Sequence, residues 1–479
     1  MQEIHLDYGD GKMSVSLPDS ATIVRFGKTY TDPPKIDPVE ATRAALASPG
    51  ELPPLSELAG PDKKIAIAFP DRVKGGTHAM AHRKVSIPLV VEELLKGGAK
   101  LENITLICAM GLHRMNTVEE WREYLGSDIV DQFYPDRLVN HDAEDPGLLQ
   151  LGKDEMGNHV ECNRLMAEAD IPIVIGHCAG NPYGGYSGGH KMVATGFTGW
   201  RSIASHHVPK TMHRDDWLGA SPKGRMRDQF TSIGKAMEDG IGKKFFAVDA
   251  VIGQFADVLG VHAGSLDYVE RMCWPLAKQR TNVELPTNER ADILVVGVPR
   301  NFHYGPGMGS NPVLMSLALG GQLSRCWNAL RRDPVLIAVA NLDGWFNKSW
   351  FPSYEETFWQ MTKYPRQEDY LASEEARKMS VNPEYTYSYS NYFTYHPFHA
   401  MSMLSGGAVP NKRCQRVFIV GSEKPLHAKA MGFTPLPTFD DAMREAQRYV
   451  GKNPKVLCTP ECFSGGAAPH LHLKGERPA

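Results

Sequence analysis

IPIVIGHCAGNPYGGYSGGHK, residues 171–191, decides how this chain is read. Its first six residues form an uninterrupted apolar run of the length of a buried strand. The chain then turns abruptly to glycine. Residues 181–196 hold Gly184, Gly185, Gly188, Gly189 and Gly196, with Lys191 among them. A buried strand that runs into a glycine-rich loop is how α/β proteins offer backbone N–H groups to a phosphate. The two common forms of that loop do not fit. Counting from Gly184, His190 separates the last glycine from Lys191, and Met192 stands where a P-loop needs Ser or Thr for magnesium. The pattern G-x-G-x-x-G would place its first glycine on Tyr183. The loop is expected to bind a ligand in another way, and Lys191 is the residue to explain.

The same alternation runs along the whole chain. The apolar runs at 63–69, 103–111, 171–176 and 245–253 read as buried strands, followed by 292–298, 334–342 and 415–422. Helical spacing lies between them. In one case Thr117 and Glu120 form a capping box that starts a helix. Buried strands alternating with helices predict an α/β fold, with mostly parallel sheets flanked by helices. A chain of 479 residues exceeds one ordinary core. The polar, proline-containing stretch at 282–292 is therefore taken as a boundary. Residues 1–287 are expected to form an N-terminal cofactor-binding domain and 288–454 a C-terminal α/β domain, with the active site between them. The tail 455–479 is expected to return to the first domain. The aromatic stretch YTYSYSNYFTYHPFHAM (385–401) reads equally as a half-buried strand or as a loop over a ligand.

Composition narrows the function. The chain is 42% hydrophobic and 22% charged with a net charge of -3, as in a globular protein free in solution. There is no basic tract for nucleic acid, no apolar run of membrane-spanning length and no secretory leader pattern. A cytoplasmic protein with free, mostly buried thiols is expected. Cys458 and Cys462, with His470 and His472 nearby, leave a structural zinc site open as an alternative.

In open α/β sheets ligands bind at the carboxyl ends of strands. Asp71, Arg72 and Lys74 follow the first buried run, and His113 follows the second. An acid there can hold ribose hydroxyls, a cation a carboxylate or phosphate, and a histidine can act as general base. A charged turn and a packing histidine are the plainer readings. His206 and His207 end a short helix beyond Lys191. Adjacent histidines point in different directions, so one of them is expected at the site, where an imidazole could ligate a metal.

Taken in order, PDRVK, GLHR, GGYSGGHK and SHH resemble the lactate racemase family that uses a nickel-pincer nucleotide. The most specific part is the G-[YF]-S-G-G-x-K loop, with a histidine sixteen positions beyond the lysine. The resemblance covers residues 1–290 well, and the rest mainly in architecture. It implies a pyridine mononucleotide with two sulfur-containing arms and carbon-bound nickel, held covalently on Lys191. His207 would complete the nickel coordination. Asp71, Ser187, Gly188 and Gly189 would line the cofactor, and Arg72, Lys74, His303 and Tyr304 the substrate. The implied reaction is racemisation or epimerisation of a 2-hydroxy acid: His113 takes the hydroxyl proton and the cofactor takes the hydride. The protein's partners would be that hydroxy acid and the enzymes that build the cofactor.

Two positions depart from the family. Its second acid/base histidine falls on Asn181, and its carboxylate-binding arginine falls on Lys74. The stretch VPRNFHYGPGMGSNP (298–312) also lacks the family's glutamine and lysine substrate contacts. A hydroxy acid larger than lactate, such as a sugar acid or an aromatic one, is therefore expected. His177, His190, His206, His213, His303, His396 and His399 are candidates to replace the missing histidine. A one-directional redox or isomerising enzyme on the same cofactor, and a non-catalytic cofactor-binding protein, are the alternatives.

Overall fold

The computed structural model describes residues 1–465 and 469–476. The remaining residues of the expected 455–479 tail lie outside the described ones. Two sheets organise the chain. The first has six strands in the order Val258–Gly264, Phe246–Ile252, Ile171–Cys178, Ile65–Pro70, Ile104–Ala109 and Leu138–Asn140. Its pairs are parallel except the outermost, Phe246–Ile252 with Val258–Gly264, which is antiparallel. Ile67 faces Leu106 on one side and Ile173 on the other, and every residue of Ile65–Pro70 is buried. Strands covered on both faces account for the unbroken apolar runs of the sequence.

The second sheet runs Thr434–Leu436, Arg416–Val420, Leu330–Val339, Ala291–Pro299, Gln2–Gly9 and Gly11–Leu17. Val456–Thr459 also pairs with Ala291–Pro299, and with Thr22–Ile23. The sheet departs from the expected boundaries at both ends of the chain. Residues 2–23 pair with the second sheet, because Leu6, Val15 and Leu17 share a core with Ile293, Val295 and Val335. The strand at 456–459 joins that sheet too, while His470–His472 pairs with Asn282–Glu284 near the expected boundary.

The aromatic stretch is largely helical, with residues 392–396 linking two helices. Asn382 caps a helix over Pro383–Asn391, with proline in its first turn, and a second helix runs Pro397–Gly407. The alternating tyrosines therefore point in different directions. Tyr389 is buried and its hydroxyl donates to the Gly111 carbonyl at 2.6 Å, whereas Tyr387 is exposed. The capping box at Thr117 and Glu120 forms as expected, with both reciprocal bonds. All eight cysteines are free. No three His, Cys, Asp or Glu side chains converge as a metal cage among the described residues, so Cys458, Cys462, His470 and His472 do not build a zinc site. No described helix is long and apolar enough to cross a membrane.

Helices Pro312–Cys326 and Pro397–Gly407 pack closely through small residues. A Cβ on Gly320 would overlap the Gly406 carbonyl oxygen, which belongs to backbone and cannot swing away. Gly320→Ala should therefore destabilise the fold by about 1–3 kcal/mol. Gly321→Ala, whose new Cβ would meet nothing closer than Pro182 Cγ at 3.5 Å, should be neutral or slightly stabilising. Denaturant midpoints of the two variants check the contrast.

Candidate active site

The loops beyond four strand ends of the first sheet converge on a cavity of about 590 Å³. Asp71, Lys74, His113, Asn181, Ser187, Gly188, Lys191 and His207 line it from the first half of the chain, and His303 and Tyr304 from the second. Two of the expected site residues are not on its wall. Arg72 pairs with Glu120 at 2.8 Å and lies over the Trp350 ring. Gly189 lies beneath the loop, where its N–H donates to Asp249.

The glycine loop depends on what packs under it. Gly188 has φ +79°, and a Cβ there would overlap a carboxylate oxygen of Asp249 and approach the His177 carbonyl at 2.9 Å. The Gly189 N–H donates to Asp249 Oδ2 at 2.8 Å and the His190 N–H to Glu270 Oε1 at 2.9 Å. Arg227 pairs with Glu270 at 3.0 Å and donates to the carbonyls of Gly184 and Tyr186. Arg227, Asp249 and Glu270 were not among the residues expected from the sequence, since each acts on the loop from a distant element. Ser187 Oγ accepts from the Ala179 N–H at 3.1 Å and so pins the two arms of the loop together.

Helix His190–Gly196 starts from this loop and carries Lys191. No carboxylate pairs with Lys191 among the described residues; its Nζ lies 3.5 Å from the Tyr183 carbonyl. Burial, then the charges of Lys74, Arg227 and Arg325, hold its pKa well below the usual lysine value. A neutral amine is a nucleophile and can form a covalent link.

The two adjacent histidines resolve into a relay. His206 Nε2 lies 3.3 Å from the Ala194 carbonyl, which can only accept, so Nε2 carries the proton. Burial pushes His206 down to about 3, so the ring is neutral and its Nδ1 is an acceptor. His207 Nδ1, 2.7 Å away, therefore donates to it. That leaves the His207 Nε2 lone pair free. Burial and the neighbouring His206 and Lys191 hold His207 neutral as well. The ring stacks on Tyr183 with centroids 5.1 Å apart. A neutral imidazole whose second nitrogen donates to a fixed partner is the usual state of a metal ligand.

His113 is held differently. Gly111, at φ +55°, turns the chain where a Cβ would overlap the Thr195 carbonyl oxygen. The His113 ring then meets Asp71, with Nδ1 and Oδ2 2.7 Å apart. Burial alone would raise the Asp71 carboxyl, but His113, Lys74 and Arg83 bring it below its usual value. Asp71 is thus an acceptor, Nδ1–H donates to it, and Nε2 is left as the base. Asp71, expected on the cofactor, is in this structure the partner of His113. Lys74 Nζ lies 3.3 Å from Nε2 of His303, a residue held at φ +28°. Tyr304 packs its ring edge against His113 at 5.4 Å.

Asn181 turns its Oδ1 to the Tyr183 N–H at 2.9 Å. Of the histidines that might replace the missing one, His177, His303 and His399 line the cavity. The others are engaged elsewhere: His190 with Asp267, His206 with Ala194, His213 with Ser405 and His396 with Glu144. Arg325, on the cavity wall, was also not expected from the sequence. The available signal was that it is the only charge in the helix Pro312–Cys326.

Fold and cavity together define a two-sheet α/β protein with an unpaired lysine, a free imidazole lone pair and a histidine–aspartate dyad around one ligand space. Residues 8–218 match the lactate racemase N-terminal domain. Among curated proteins, the lactate racemase of Thermoanaerobacterium thermosaccharolyticum is 27% identical over 210 residues, 43% of this chain and 47% of that one. The lactate racemase of Lactiplantibacillus plantarum is 25% identical over 290 residues, 59% of this chain and 64% of that one. The chain thus matches about half and just under two thirds of these relatives' lengths. The lactate racemase apoprotein structure from T. thermosaccharolyticum superposes with a TM-score of 0.71 at 18% identity, covering 97% of this chain and all of that one. A Thermotoga maritima protein superposes at 0.54 and 14% identity, covering 92% of this chain and all of that one. At these identities the two superpositions establish a shared fold.

Burial pushes the Asp249 carboxyl up to about 7, against the pull of the Gly189 N–H and with the help of Glu270. In the unfolded chain it titrates near 3.9. Between these values the folded state holds more protons, so stability falls as pH rises from about 4 to about 7. Asp249→Asn removes this dependence. Relative to wild type, its unfolding free energy should rise by a few kcal/mol across that window, since each tenfold change in proton affinity is worth about 1.4 kcal/mol. Denaturation at pH 4.5, 6 and 7.5 checks the slope.

Proposed function

We propose that this chain is a racemase or epimerase of 2-hydroxy acids that works with a nickel-pincer nucleotide held through Lys191. The observation that carries this reading is the meeting of Lys191, His207 and the Asp71–His113 dyad in one cavity. The residues fit the group. Lys191 offers a neutral amine for the covalent link, and His207 offers one imidazole lone pair. A single protein ligand suits a metal that brings its other donors on its organic carrier. Gly188 leaves open backbone beside Lys191. When bound, the group supplies a hydride acceptor beside the carbon that carries the hydroxyl.

The remaining roles belong to this chain's own side chains. Lys74, steadied by His303, draws the substrate carboxylate as a point charge rather than a fork. His113 Nε2 accepts the hydroxyl proton, and Asp71 stabilises the resulting imidazolium and keeps the ring in register. Proton return reverses the same path. Asn181 cannot exchange a proton. In our reading its place is taken by a histidine of the wall. His399 is a candidate from the second half of the chain, with Nε2 buried and unpartnered, and His177 a candidate from the first, with Nδ1 in the same state. Phe302, Tyr304 and Phe463 give the wall an aromatic character that suits a hydroxy acid larger than lactate. The second reading, a one-directional redox or isomerising enzyme on the same cofactor, is favoured only by Asn181.

Protein co-expressed with cofactor-building enzymes should show a mass increment on Lys191 and stoichiometric nickel, both absent in Lys191→Ala. Unchanged nickel in that variant would refute the cofactor assignment. With one stereoisomer in heavy water, a racemase yields both configurations with the carbon-bound hydrogen retained, whereas the second reading yields a single product. Asp71→Asn should lower kcat by roughly 10²–10⁴-fold by releasing the His113 tautomer, with nickel content unchanged.

A further inference from the structure

Arg325 sits in the last turn of Pro312–Cys326 and lines the cavity that also holds Lys74 and Lys191. Three buried arginines of this protein have acids, Arg227 with Glu270 at 3.0 Å, Arg280 with Asp32 at 2.9 Å and Arg114 with Glu120 at 2.5 Å, while buried Arg83 makes no ion pair among the described residues and lies over the Tyr124 ring at 4.1 Å. Arg325 has no acid. Among the described residues it makes no ion pair and donates no hydrogen bond, and its Nε is buried without an acceptor. The titratable groups that act on it are Cys462, Cys326, Tyr183 and Arg280, with no carboxylate. The Tyr183 hydroxyl, also on the cavity wall, is likewise buried and unpartnered. A basic residue near a helix C-terminus gains from the carbonyl dipoles, but that gain falls far short of the cost of an unpaired buried charge. The one acid on the cavity wall among the described residues, Asp71, is committed to His113, so no carboxylate there is left for Arg325. Its charge is stable when the ligand supplies the anion.

We propose that Arg325 is an anion receptor supplied by the second half of the chain, its guanidinium fork taking two oxygens of a carboxylate or phosphate while the Tyr183 hydroxyl donates a further bond. The proposal rests on reading this cavity as the ligand site. It does not depend on the nickel cofactor. Two ligands present such an oxyanion here: the hydroxy-acid substrate, and the phosphate of a mononucleotide.

The full chain, prepared without cofactor and nickel, can be titrated calorimetrically with inorganic phosphate, nicotinic acid mononucleotide and tartrate. Wild type should bind at least one of them saturably. Arg325→Gln should weaken that binding tenfold or more, and Arg325→Lys, which keeps charge but loses the fork, by at least threefold. A loss confined to phosphate and the mononucleotide assigns the site to the nucleotide; a loss confined to tartrate assigns it to the substrate. Equal affinities in wild type and Arg325→Gln for every probe would overturn the proposal, as would the absence of saturable binding to wild type. If circular dichroism shows Arg325→Gln unfolded, Arg325→Lys decides alone by the same threefold margin. Because nickel is absent throughout, failure here is distinguishable from failure of the Lys191 attachment test.

Discussion

The site depends on how the backbone of residues 184–190 is held from below. Buried Asp249 and Glu270 accept the N–H groups of Gly189 and His190, and Arg227 ties Glu270 to the carbonyls on the other arm of the loop. Backbone this close to carboxylates has no room for side chains, so Gly188 and Gly189 are required on packing grounds as well as for their positive φ. The arrangement has a consequence beyond the loop. Helix His190–Gly196 starts from it, carries Lys191, and through the Ala194 carbonyl fixes the tautomer of His206 and hence of His207. One anchored segment therefore places both the amine and the free imidazole lone pair.

Groups that line one cavity differ in the partners that surround them. Lys191 and His207 have no carboxylate beside them among the described residues, so burial leaves them neutral, which is the state an attachment amine and a metal ligand need. His113 has Asp71, and the pair is set up to accept and stabilise a proton. Acids decide the difference. Asp71 faces the cavity, while Asp249 and Glu270 are turned to backbone beneath it.

Much of this was legible in the sequence, and the failures have physical causes. Strands buried on both faces betray themselves as unbroken apolar runs, so the four inner strands of the first sheet and three central strands of the second were found. The capping box fixed one helix start. Residues 2–23 were misplaced because the half-buried edge strands of the second sheet show only weak patterning, and partners nearly three hundred residues away leave no local trace. The tyrosine alternation at 385–389 misled because period two reports a strand only where one face is buried, and here Asn382 and Pro383 start a helix. The wall residues at strand ends were found by rule. Arg72 was not separable from Lys74 by position; its pairing with Glu120 depends on the neighbouring helix. Arg227, Asp249 and Glu270 act through backbone atoms, and no spacing rule reaches them.

The connectivity also bears on how the two halves work together. Residues 2–23 lie in the second sheet; the chain then crosses to build the first, and returns at residues 282–291 to complete the second. The halves are therefore joined by two covalent crossings, and a third tie forms where His470–His472 pairs with Asn282–Glu284. The matched family domain, residues 8–218, contains Lys191, His207 and the Asp71–His113 dyad. His303, Tyr304, Arg325 and His399 come from beyond it. The groups to which the proposed chemistry is assigned thus lie within the part that matches the family domain, and the other wall of the cavity comes from outside it.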